Sequence, residues 1–392
     1  MGTTGFDRTH ADAVLRAGVE RSAVPGVVAV VVDRDGVLYE GAFGERELGA
    51  GAEMTVDTVG AIFSMTKAIT AAAAMQLVEH GRLHLDTAAS EVCPALVDRQ
   101  VLTGFDGDGQ PMLRPAASAP TLRQLLTHTS GFGYELFNAD LVRWHEVTGT
   151  PGLAANGPEM LEAPLVSDPG TRWEYGIDLD WVGAMIEAVS GQRLGDYFAE
   201  HLTGPLGMLD TAYVPIPGMS ERVASMHARL PDGTVVPFPL PAPEVDGHQG
   251  GGAGLFATMG DYGRFIRMLL GDGELDGTRV LRAETVRQMS VNQMGDLRVE
   301  PLVSAMPHLT NDAELFPGQA KSWGMSFQIN EEPAATGRPA GTLMWAGLAN
   351  SYFWVDRANG IGGAYLSQIL PFADAGSLEL FTEFETAVYS SR

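Results

Sequence analysis

The sequence predicts an α+β fold in which one antiparallel sheet is built from both ends of the chain and is flanked by helices. Three observations lead to this prediction. Strand-like segments joined by tight turns lie near both ends of the 392 residues, and helical patterns occupy most of the middle. Apolar residues make up 45% of the sequence and charged residues 19%, which is typical of a globular protein.

The strands are recognised from β-branched runs and from the turn residues between them. Residues 33–36 supply the turn of an N-terminal hairpin. Asn359-Gly360, the strongest short signal for a hairpin turn in the chain, separates the last two strands. The predicted strands span residues 27–32, 37–42, 342–347, 352–356 and 361–367.

Four helices are predicted with good patterns. The first is rich in alanine, and the others repeat apolar residues every three or four positions. They span residues 64–80, 181–190, 261–270 and 376–390. Gly81 is placed to end the first helix, and Asp178 or Asp180 to cap the start of the second.

The length of 392 residues exceeds the usual size of a single core, so we expect one large domain or two intimately joined domains. Residues 1–80 and 255–392 are expected to form the sheet domain. Residues 81–254 are expected to form a mostly helical insertion, with the active site at the junction of the two parts.

The net charge of −24 excludes several partners. So acidic a surface repels nucleic acids and anionic lipids, and no apolar run reaches the roughly 18 residues that span a membrane. The first residues lack the basic and apolar regions of a secretory signal. We therefore expect a cytoplasmic protein without nucleic-acid or membrane partners, and the sequence carries no indication of its oligomeric state.

Cysteine and histidine usage bears on metals and disulfides. Cys93 is the only cysteine, so neither an internal disulfide nor a cysteine-rich metal site can form. The nine histidines show no H-E-x-x-H or comparable spacing. We expect neither a metal nor an organic cofactor.

Ser64 and Lys67 form the first candidate catalytic pair. Residues three apart share one face of a helix, so the Lys67 amine can reach the Ser64 hydroxyl. A serine needs a base to become a nucleophile, and a lysine can supply a neutral amine whereas an arginine cannot. Only two of the 25 basic residues are lysines, which favours a chemical role for Lys67. Alone the pattern is weak, because a capping serine beside a surface lysine also fits it.

Two later features could complete such a site. Tyr175 lies on a short extended segment before the helix at 181–190, and a phenol near a lysine can act as a general base or relay. Trp345-Ala-Gly347 lies near the end of a strand and precedes Leu348, so that a backbone N–H could approach a substrate closely. Each of these features alone also fits ordinary packing.

In their order and spacing, Ser-x-x-Lys, the tyrosine and the strand tripeptide resemble class C β-lactamases, penicillin-binding proteins and family VIII carboxylesterases. Flanking segments strengthen the resemblance to family VIII esterases over about residues 10–390. These segments are GFDGDG at 104–109, LRQLLTHTSGFGY at 122–134, PLGM at 205–208, GGGAG at 250–254 and residues 345–356. The resemblance implies a β-lactamase-like fold.

The resemblance also implies roles for individual residues. Ser64 would form the acyl-enzyme, Lys67 and Tyr175 would share the proton transfers, and the backbone N–H groups of Ser64 and Leu348 would bind the oxyanion. The expected function is that of a serine carboxylesterase acting on a small-molecule ester. The residues expected to contact the substrate are Phe132, Tyr134, Trp345 and Gly347.

Departures from the family pattern favour esters over lactams. Ile177 stands where a class C β-lactamase has an asparagine, and Trp345 stands where it has a lysine. Both lost groups help to hold a β-lactam, so at most weak activity on β-lactams is expected. Asn350 replaces a glycine that relatives often have, which leaves the local turn open.

Several alternatives remain open at this stage. An acyltransferase, an amidase or a D-amino-acid peptidase could use the same site, and a non-catalytic penicillin-recognising module could retain the fold. His128 and Ser130 do not face each other on a helix, and a turn or cap role is expected for them. Residues 250–254 do not fit a phosphate-binding spacing and are interpreted as a close-packing loop.

Overall fold

The computed structural model describes residues 7–155 and 157–391, so most of the segment examined for a secretory signal, residues 1–6, lies outside the described residues. The helices are α1 (Arg8–Glu20), α2 (Thr66–Glu79), α3 (Leu122–Leu126), α4 (Ala139–Thr148), α5 (Asp178–Ser190), α6 (Leu194–Phe198), α7 (Met259–Leu270), α8 (Ala283–Met289) and α9 (Ala375–Ser390). The strands are β1 (Gly26–Asp33), β2 (Val37–Gly44), β3 (Val59–Ala61), β4 (Gln100–Phe105), β5 (Pro111–Pro115), β6 (His227–Arg229), β7 (Val235–Pro237), β8 (Phe256–Thr258), β9 (Glu274–Leu275), β10 (Thr278–Arg279), β11 (Lys321–Trp323), β12 (Gln328–Asn330), β13 (Leu343–Gly347), β14 (Ser351–Asp356), β15 (Ile361–Leu366) and β16 (Ile369–Leu370).

Among the described residues, a seven-stranded antiparallel sheet has the order β11-β12-β13-β14-β15-β1-β2. The N-terminal hairpin joins the C-terminal strands through the pair β1–β15, in which Ala29 lies opposite Tyr365. The predicted α+β fold, with one antiparallel sheet built from both ends of the chain, is confirmed. The predicted strands agree with the observed bounds to within one or two residues.

Helices cover both faces of this sheet. Tyr352 of β14 stacks on Phe381 of α9 with ring centres 4.5 Å apart, whereas the next residue, Phe353, packs on Tyr262 of α7 at 5.0 Å. Successive strand residues point to opposite faces, so α9 and α7 lie on opposite sides of the sheet. A strand covered on both faces needs apolar residues at every position, which explains the uninterrupted valine-rich run of β1.

Helix α2 is enclosed on nearly all sides. Residues 66–77 are all buried, and their run of alanines lets neighbouring elements approach the helix closely. Gly81 follows the helix with a φ of +68°, as its predicted stop requires. Because Lys67 lies in the first turn of this buried helix, the fold carries its amine into the interior.

Helices α3–α6 and strands β4–β7 lie within residues 81–254. The division of the chain into 1–80 with 255–392 on one side and 81–254 on the other stays a prediction. None of the helices formed by residues 7–155 and 157–391 is both long and apolar enough to cross a membrane.

The start of α5 differs from the prediction. Ile177 is the N-cap residue and no side chain caps the helix, so the expected cap by Asp178 or Asp180 is wrong. Both aspartates are buried instead, because their carboxylates bind partners in the interior.

A fully buried ion pair joins the segment between β12 and β13 to α9. Nε of Arg338 donates to Oε1 of Glu385 at 2.8 Å. Glu385→Ala leaves the guanidinium buried without a counter-charge, and we expect a loss of about 3–5 kcal/mol in the free energy of unfolding, measured with urea. The double variant Arg338→Met/Glu385→Leu should recover most of this loss. A single variant as stable as the wild type would contradict the prediction.

Candidate active site

Ser64 lies in a tight turn, Phe63–Met65, that leads directly into α2. Phe63 has a φ of +44°, a left-handed conformation that is rare and costly for an aromatic residue. Ser64 is half-buried while Met65 and Lys67 are buried, so the turn leaves the serine hydroxyl at the edge of the interior. The surrounding structure holds a strained backbone at the position before this serine.

The amine of Lys67 is bound on three sides. The side chain has no exposed surface. Its Nζ donates hydrogen bonds to Oγ of Ser64 at 3.1 Å, to Oη of Tyr134 at 3.1 Å and to the carbonyl oxygen of Gly252 at 2.8 Å. The contact between Lys67 and Ser64 expected from their spacing is therefore present.

Tyr175 lies beside the same amine. Nζ of Lys67 is 4.9 Å from the centre of the Tyr175 ring, and Nε1 of Trp345 donates to Oη of Tyr175 at 3.0 Å. An indole N–H can only donate, so the phenol oxygen of Tyr175 is the acceptor in this hydrogen bond. The structure thus brings together Ser64, Lys67, Tyr175 and Trp345.

Gly347 packs the end of β13 against the turn that holds Ser64. A Cβ atom at Gly347 would overlap the carbonyl oxygen of Ile62, two residues before Ser64. Only glycine permits this approach, and it brings the end of β13, which Leu348 follows, against the turn that holds Ser64. Leu348 is half-buried, as is Ser64.

The structure distributes the residues expected to contact a substrate over different places. Trp345 and Gly347 lie in the group around Ser64, but the hydroxyl of Tyr134 is directed to Lys67. Phe132 is fully buried and stacks on Trp181 with ring centres 5.9 Å apart. Its ring packs inside the core, and the expected contact of Phe132 with a substrate stays a prediction.

Asp180 was not recognised as a site residue from the sequence. Its Oδ2 accepts a hydrogen bond from Oη of Tyr134 at 3.3 Å, and its Oδ1 accepts one from the backbone N–H of Gly252 at 2.8 Å. Burial raises the pKa of Asp180, while the charge of Lys67 and the Gly252 N–H act against that rise. Burial and the nearby Asp180 carboxylate raise the pKa of Tyr134 well above 10, so its hydroxyl remains a donor.

The Asp178 carboxylate binds two buried side chains, those of His128 and Ser130. Nδ1 of His128 lies 2.8 Å from Oδ2 of Asp178, and Oγ of Ser130 donates to Oδ1. His128 has a φ of +55°, and its carbonyl oxygen accepts from the N–H of Glu174, directly before Tyr175. The expected turn role of His128 and Ser130 thus includes a contact through Asp178 that the sequence did not indicate.

The spacing Asp178-Leu-Asp180, three residues after Tyr175 and in the first turn of α5, is the available sequence signal for these two carboxylates. Acidic residues at such a position are more often helix caps, and the sequence pattern therefore predicts a cap. Two distant loops bring His128 to Asp178 and the Gly252 N–H to Asp180, so these carboxylates bind interior partners instead of capping the helix.

Hydrogen bonds account for the local turn at Asn350 and for the position of the second lysine, Lys321. Asn350 has a φ of +58°, a conformation that asparagine tolerates, and its Nδ2 donates to the carbonyl oxygens of Ile369 and Pro371 at 2.7 Å each. The second lysine, Lys321, is buried and donates to Oε1 of Glu314 at 2.9 Å. The scarcity of lysine therefore bears on chemistry only at Lys67.

Within the part of the chain that the structure describes, no group of three or more histidine, cysteine, aspartate or glutamate side chains is arranged to hold a metal ion. What the site does present is a serine hydroxyl, a buried amine, a phenol and the adjoining backbone of β13. This set of groups can transfer protons to and from an attacking serine.

Comparison with known proteins gives consistent matches along the chain. The beta-lactamase family model matches residues 11–384. The chain is 30% identical to lovastatin esterase of Penicillium rubens, over 96% of this chain and 97% of that protein. It is also 30% identical to monacolin J acid methylbutanoyltransferase of Aspergillus terreus, over 97% of this chain and 95% of that protein. The structure of unliganded simvastatin synthase from Aspergillus terreus superposes with a TM-score of 0.82 at 28% identity, covering 100% of this chain and 99% of that one.

Gly347→Ala tests the close approach of β13 to Ser64. The added methyl group must push the strand away from the turn, and we expect the rate at which Ser64 reacts with a fluorophosphonate to fall roughly a hundredfold. Gly36→Ala is the matched control, because a Cβ atom there meets nothing within 4 Å. Equal reaction rates in the two variants would show that the approach has no effect on the serine.

The buried His128 predicts an acid-sensitive stability. Burial lowers the pKa of His128, although Asp178 opposes the shift. Below about pH 6.5 the unfolded chain therefore binds a proton that the folded chain excludes, and stability falls as the pH decreases from that value.

His128→Asn should weaken this pH dependence, since asparagine tolerates the positive φ and does not titrate. Between about pH 6.5 and 5.5, we expect the free energy of unfolding to fall less steeply than in the wild type, by up to about 1.4 kcal/mol per pH unit. Urea unfolding at several pH values measures the difference, with exposed His84→Asn as control. If the free energy of unfolding of His128→Asn depends on pH as steeply as that of the wild type, His128 is not the source of the acid sensitivity.

Proposed function

The chain belongs to the beta-lactamase family, and from this premise we propose that it is a serine carboxylesterase that hydrolyses small-molecule esters through an acyl-enzyme on Ser64. Its β-lactamase-like fold, together with its similarity to an esterase and to acyltransferases, makes it a hydrolase or acyl-transferring enzyme. Its motifs point to the family VIII esterases within this group.

One contact carries the proposal. The 3.1 Å distance between Nζ of Lys67 and Oγ of Ser64 joins a fully buried amine to a half-buried hydroxyl. A lysine at the surface would be of no use as a base, because water keeps it protonated near neutral pH. An enclosed lysine bonded to a serine has the arrangement that nucleophilic catalysis requires.

In the proposed reaction, Oγ of Ser64 attacks the ester carbonyl carbon while Lys67 accepts the hydroxyl proton. The carbonyl oxygen becomes an oxyanion, to which the N–H groups of Ser64 and Leu348 would donate. The bond from carbon to the alcohol oxygen then breaks, and the alcohol leaves with a proton delivered through Lys67 and Tyr175. Water attacks the acyl carbon, gives its proton to the same groups and releases the acid and free Ser64.

The residues around Tyr175 favour uncharged esters over β-lactams. Trp345 replaces the lysine that class C β-lactamases have, and its indole N–H is already used by Tyr175. Lys321 does not replace the missing cation, because it is bound to Glu314. Ile177 is buried and apolar, so it offers no amide to a lactam. We therefore propose an ester substrate and at most weak turnover of β-lactams.

Acyl transfer to an alcohol is the second candidate. The 30% identity to a methylbutanoyltransferase supports it, and hydrolysis and transfer differ only in whether water or an alcohol attacks the acyl-enzyme. An amidase or a D-amino-acid peptidase would use the same groups, but no contact in the site favours these substrates. The presence of Ser64, Lys67 and Tyr175 together argues against a non-catalytic module.

Ser64→Ala should abolish ester turnover without loss of the fold, because it removes only the nucleophile. Hydrolysis of p-nitrophenyl acetate, with thermal unfolding as the check on folding, measures this. In the wild type, a fluorophosphonate probe should leave a covalent adduct on Ser64. Substantial turnover by the alanine variant, or a wild type without any adduct, would rule out the assignment.

Lys67→Arg should lose most of the activity, since a guanidinium cannot accept the proton of Ser64. Lys321→Arg is a matched control, because it makes the same change at the chain's only other lysine, where an ion pair rather than proton transfer is at stake. We expect a loss of roughly a hundredfold or more in kcat/KM for the first variant and near wild-type values for the second. Normal activity of Lys67→Arg would leave Lys67 an electrostatic role only.

The substrate class is tested with esters of increasing acyl length beside a chromogenic cephalosporin. We expect turnover of the esters and little or none of the cephalosporin. The same esters with added alcohols or amines measure how the acyl-enzyme partitions. Preferential formation of new esters or amides over the free acid would make the enzyme an acyltransferase rather than an esterase.

A further inference from the structure

We propose that Asp180 is a positioning residue that acts through the hydroxyl of Tyr134 and the backbone of Gly252 to hold Lys67 ready for the proton of Ser64. The inference rests on the proposed function, because it concerns the base of that reaction. It gives Tyr134 a role in proton transfer in place of the expected contact with substrate.

The direction of the hydrogen bonds is the first support. The carbonyl oxygen of Gly252 can only accept, so it takes one N–H of Lys67. The hydroxyl of Tyr134 donates to the carboxylate of Asp180, so its oxygen is left to accept a second N–H of Lys67. The remaining position on Nζ faces Ser64. It is the position that can change between a proton donor and a lone pair when the serine proton moves.

Charge is the second support. Asp180 is 3% exposed and Lys67 is fully buried, so water stabilises neither charge. Each charge therefore depends on the other, with the Tyr134 hydroxyl between them and the Gly252 N–H on the carboxylate. When Lys67 takes the proton of Ser64, the negative charge of Asp180 offsets the positive charge that forms.

The glycines before β8 are the third support. A Cβ atom at Gly252 would overlap Oδ2 of Asp180 and lie 2.8 Å from Oη of Tyr134, and one at Gly250 would lie 2.7 Å from Oδ1 of Asp180. A Cβ atom at Gly251 would overlap the carbonyl oxygen of Leu179. In the close-packing loop predicted at 250–254, Gly250 and Gly252 thus leave room for the Asp180 carboxylate, and Gly251 leaves room for the backbone of α5 beside it.

Other titratable groups also influence the charges of Lys67 and Asp180, and their effects must be distinguished from the effect of Asp180 in any pH experiment. The two histidines among them can change charge near neutral pH, so a shift in a rate profile alone does not identify its source. These groups are His128, Glu135, Tyr175, Asp178, Tyr213 and His248.

The small number of lysines allows a direct test. Full-length protein grown with ¹³C,¹⁵N-lysine carries only two labelled side chains, Lys67 and Lys321, and Lys321→Arg assigns them. In Asp180→Asn we expect the NMR titration of the Lys67 signal to move to lower pH by about one unit, since an opposite charge nearby has been removed. The Lys321 signal serves as internal reference and should not move. A folded variant in which Lys67 titrates as in the wild type, or in which both signals shift equally, overturns the proposal.

Tyr134→Phe keeps the Asp180 charge but removes the hydroxyl between the two groups. It provides the test if Asp180→Asn fails to fold, and the Lys67 signal should again titrate at lower pH. Both variants should lower kcat/KM for p-nitrophenyl acetate roughly tenfold to a hundredfold and move the acid limb of its pH profile in the same direction. A purely structural defect would lower the rate without moving the limb, and that outcome would also overturn the proposal.

The double variant Asp180→Asn/Tyr134→Phe tests whether the two residues act as one unit. We expect it to be no slower than the slower single variant, whereas a product of the two single effects would mean that they act independently. Failure of the proposed function would instead appear in the wild type, as absent ester turnover and absent labelling of Ser64. The two failures are therefore distinguishable.

Discussion

The enclosed amine of Lys67 is the constraint on which the candidate site depends. A buried amine is tolerated only where fixed polar groups replace the water it has lost. Its partners come from three places in the fold, namely the turn that leads into its own helix, the loop that carries Tyr134 and the loop that carries Gly252. These segments must converge on one atom, so the start of α2 and the loops that carry Tyr134 and Gly252 must hold fixed positions relative to one another.

Close approaches of backbone make this convergence possible. At Gly347 the end of β13 touches the turn before Ser64, and at Gly252 a loop touches the carboxylate of Asp180. A side chain would overlap the Ile62 carbonyl oxygen in the first place and the Asp180 carboxylate in the second. The strained φ of Phe63 lies at the same place, directly before Ser64, which stays half-buried while residues 66–77 of α2 are buried. The arrangement of the site thus depends on glycines, which have no side chain to block these approaches, as much as on the polar side chains.

Much of the fold was predictable because its signals are local. The valine-rich run of β1, the Asn359-Gly360 turn and the alanine-rich helix α2 each reveal their structure within a few residues. The contact between Ser64 and Lys67 is equally local, since it follows from a spacing of three residues where a tight turn leads into α2. Tyr175 and Trp345 could be associated with it only by resemblance to a family. Their mutual hydrogen bond joins residues 170 positions apart, and no local pattern encodes it.

The sequence by itself determined the fold class and the serine–lysine pair, because periodicity, turn residues and short spacings act over neighbouring positions, whereas the family was indicated by the resemblance of its motifs. Tertiary structure alone decided that Tyr134 turns to Lys67, that Phe132 belongs to the core, and that Asp178 and Asp180 bind interior partners instead of capping α5. Tyr134 and Lys67 are 67 residues apart, and Gly252 and Lys67 are 185 apart. Contacts of this kind depend on how whole elements pack, and the same aspartate can cap a helix or bind a distant loop according to which of the two the packing brings within reach.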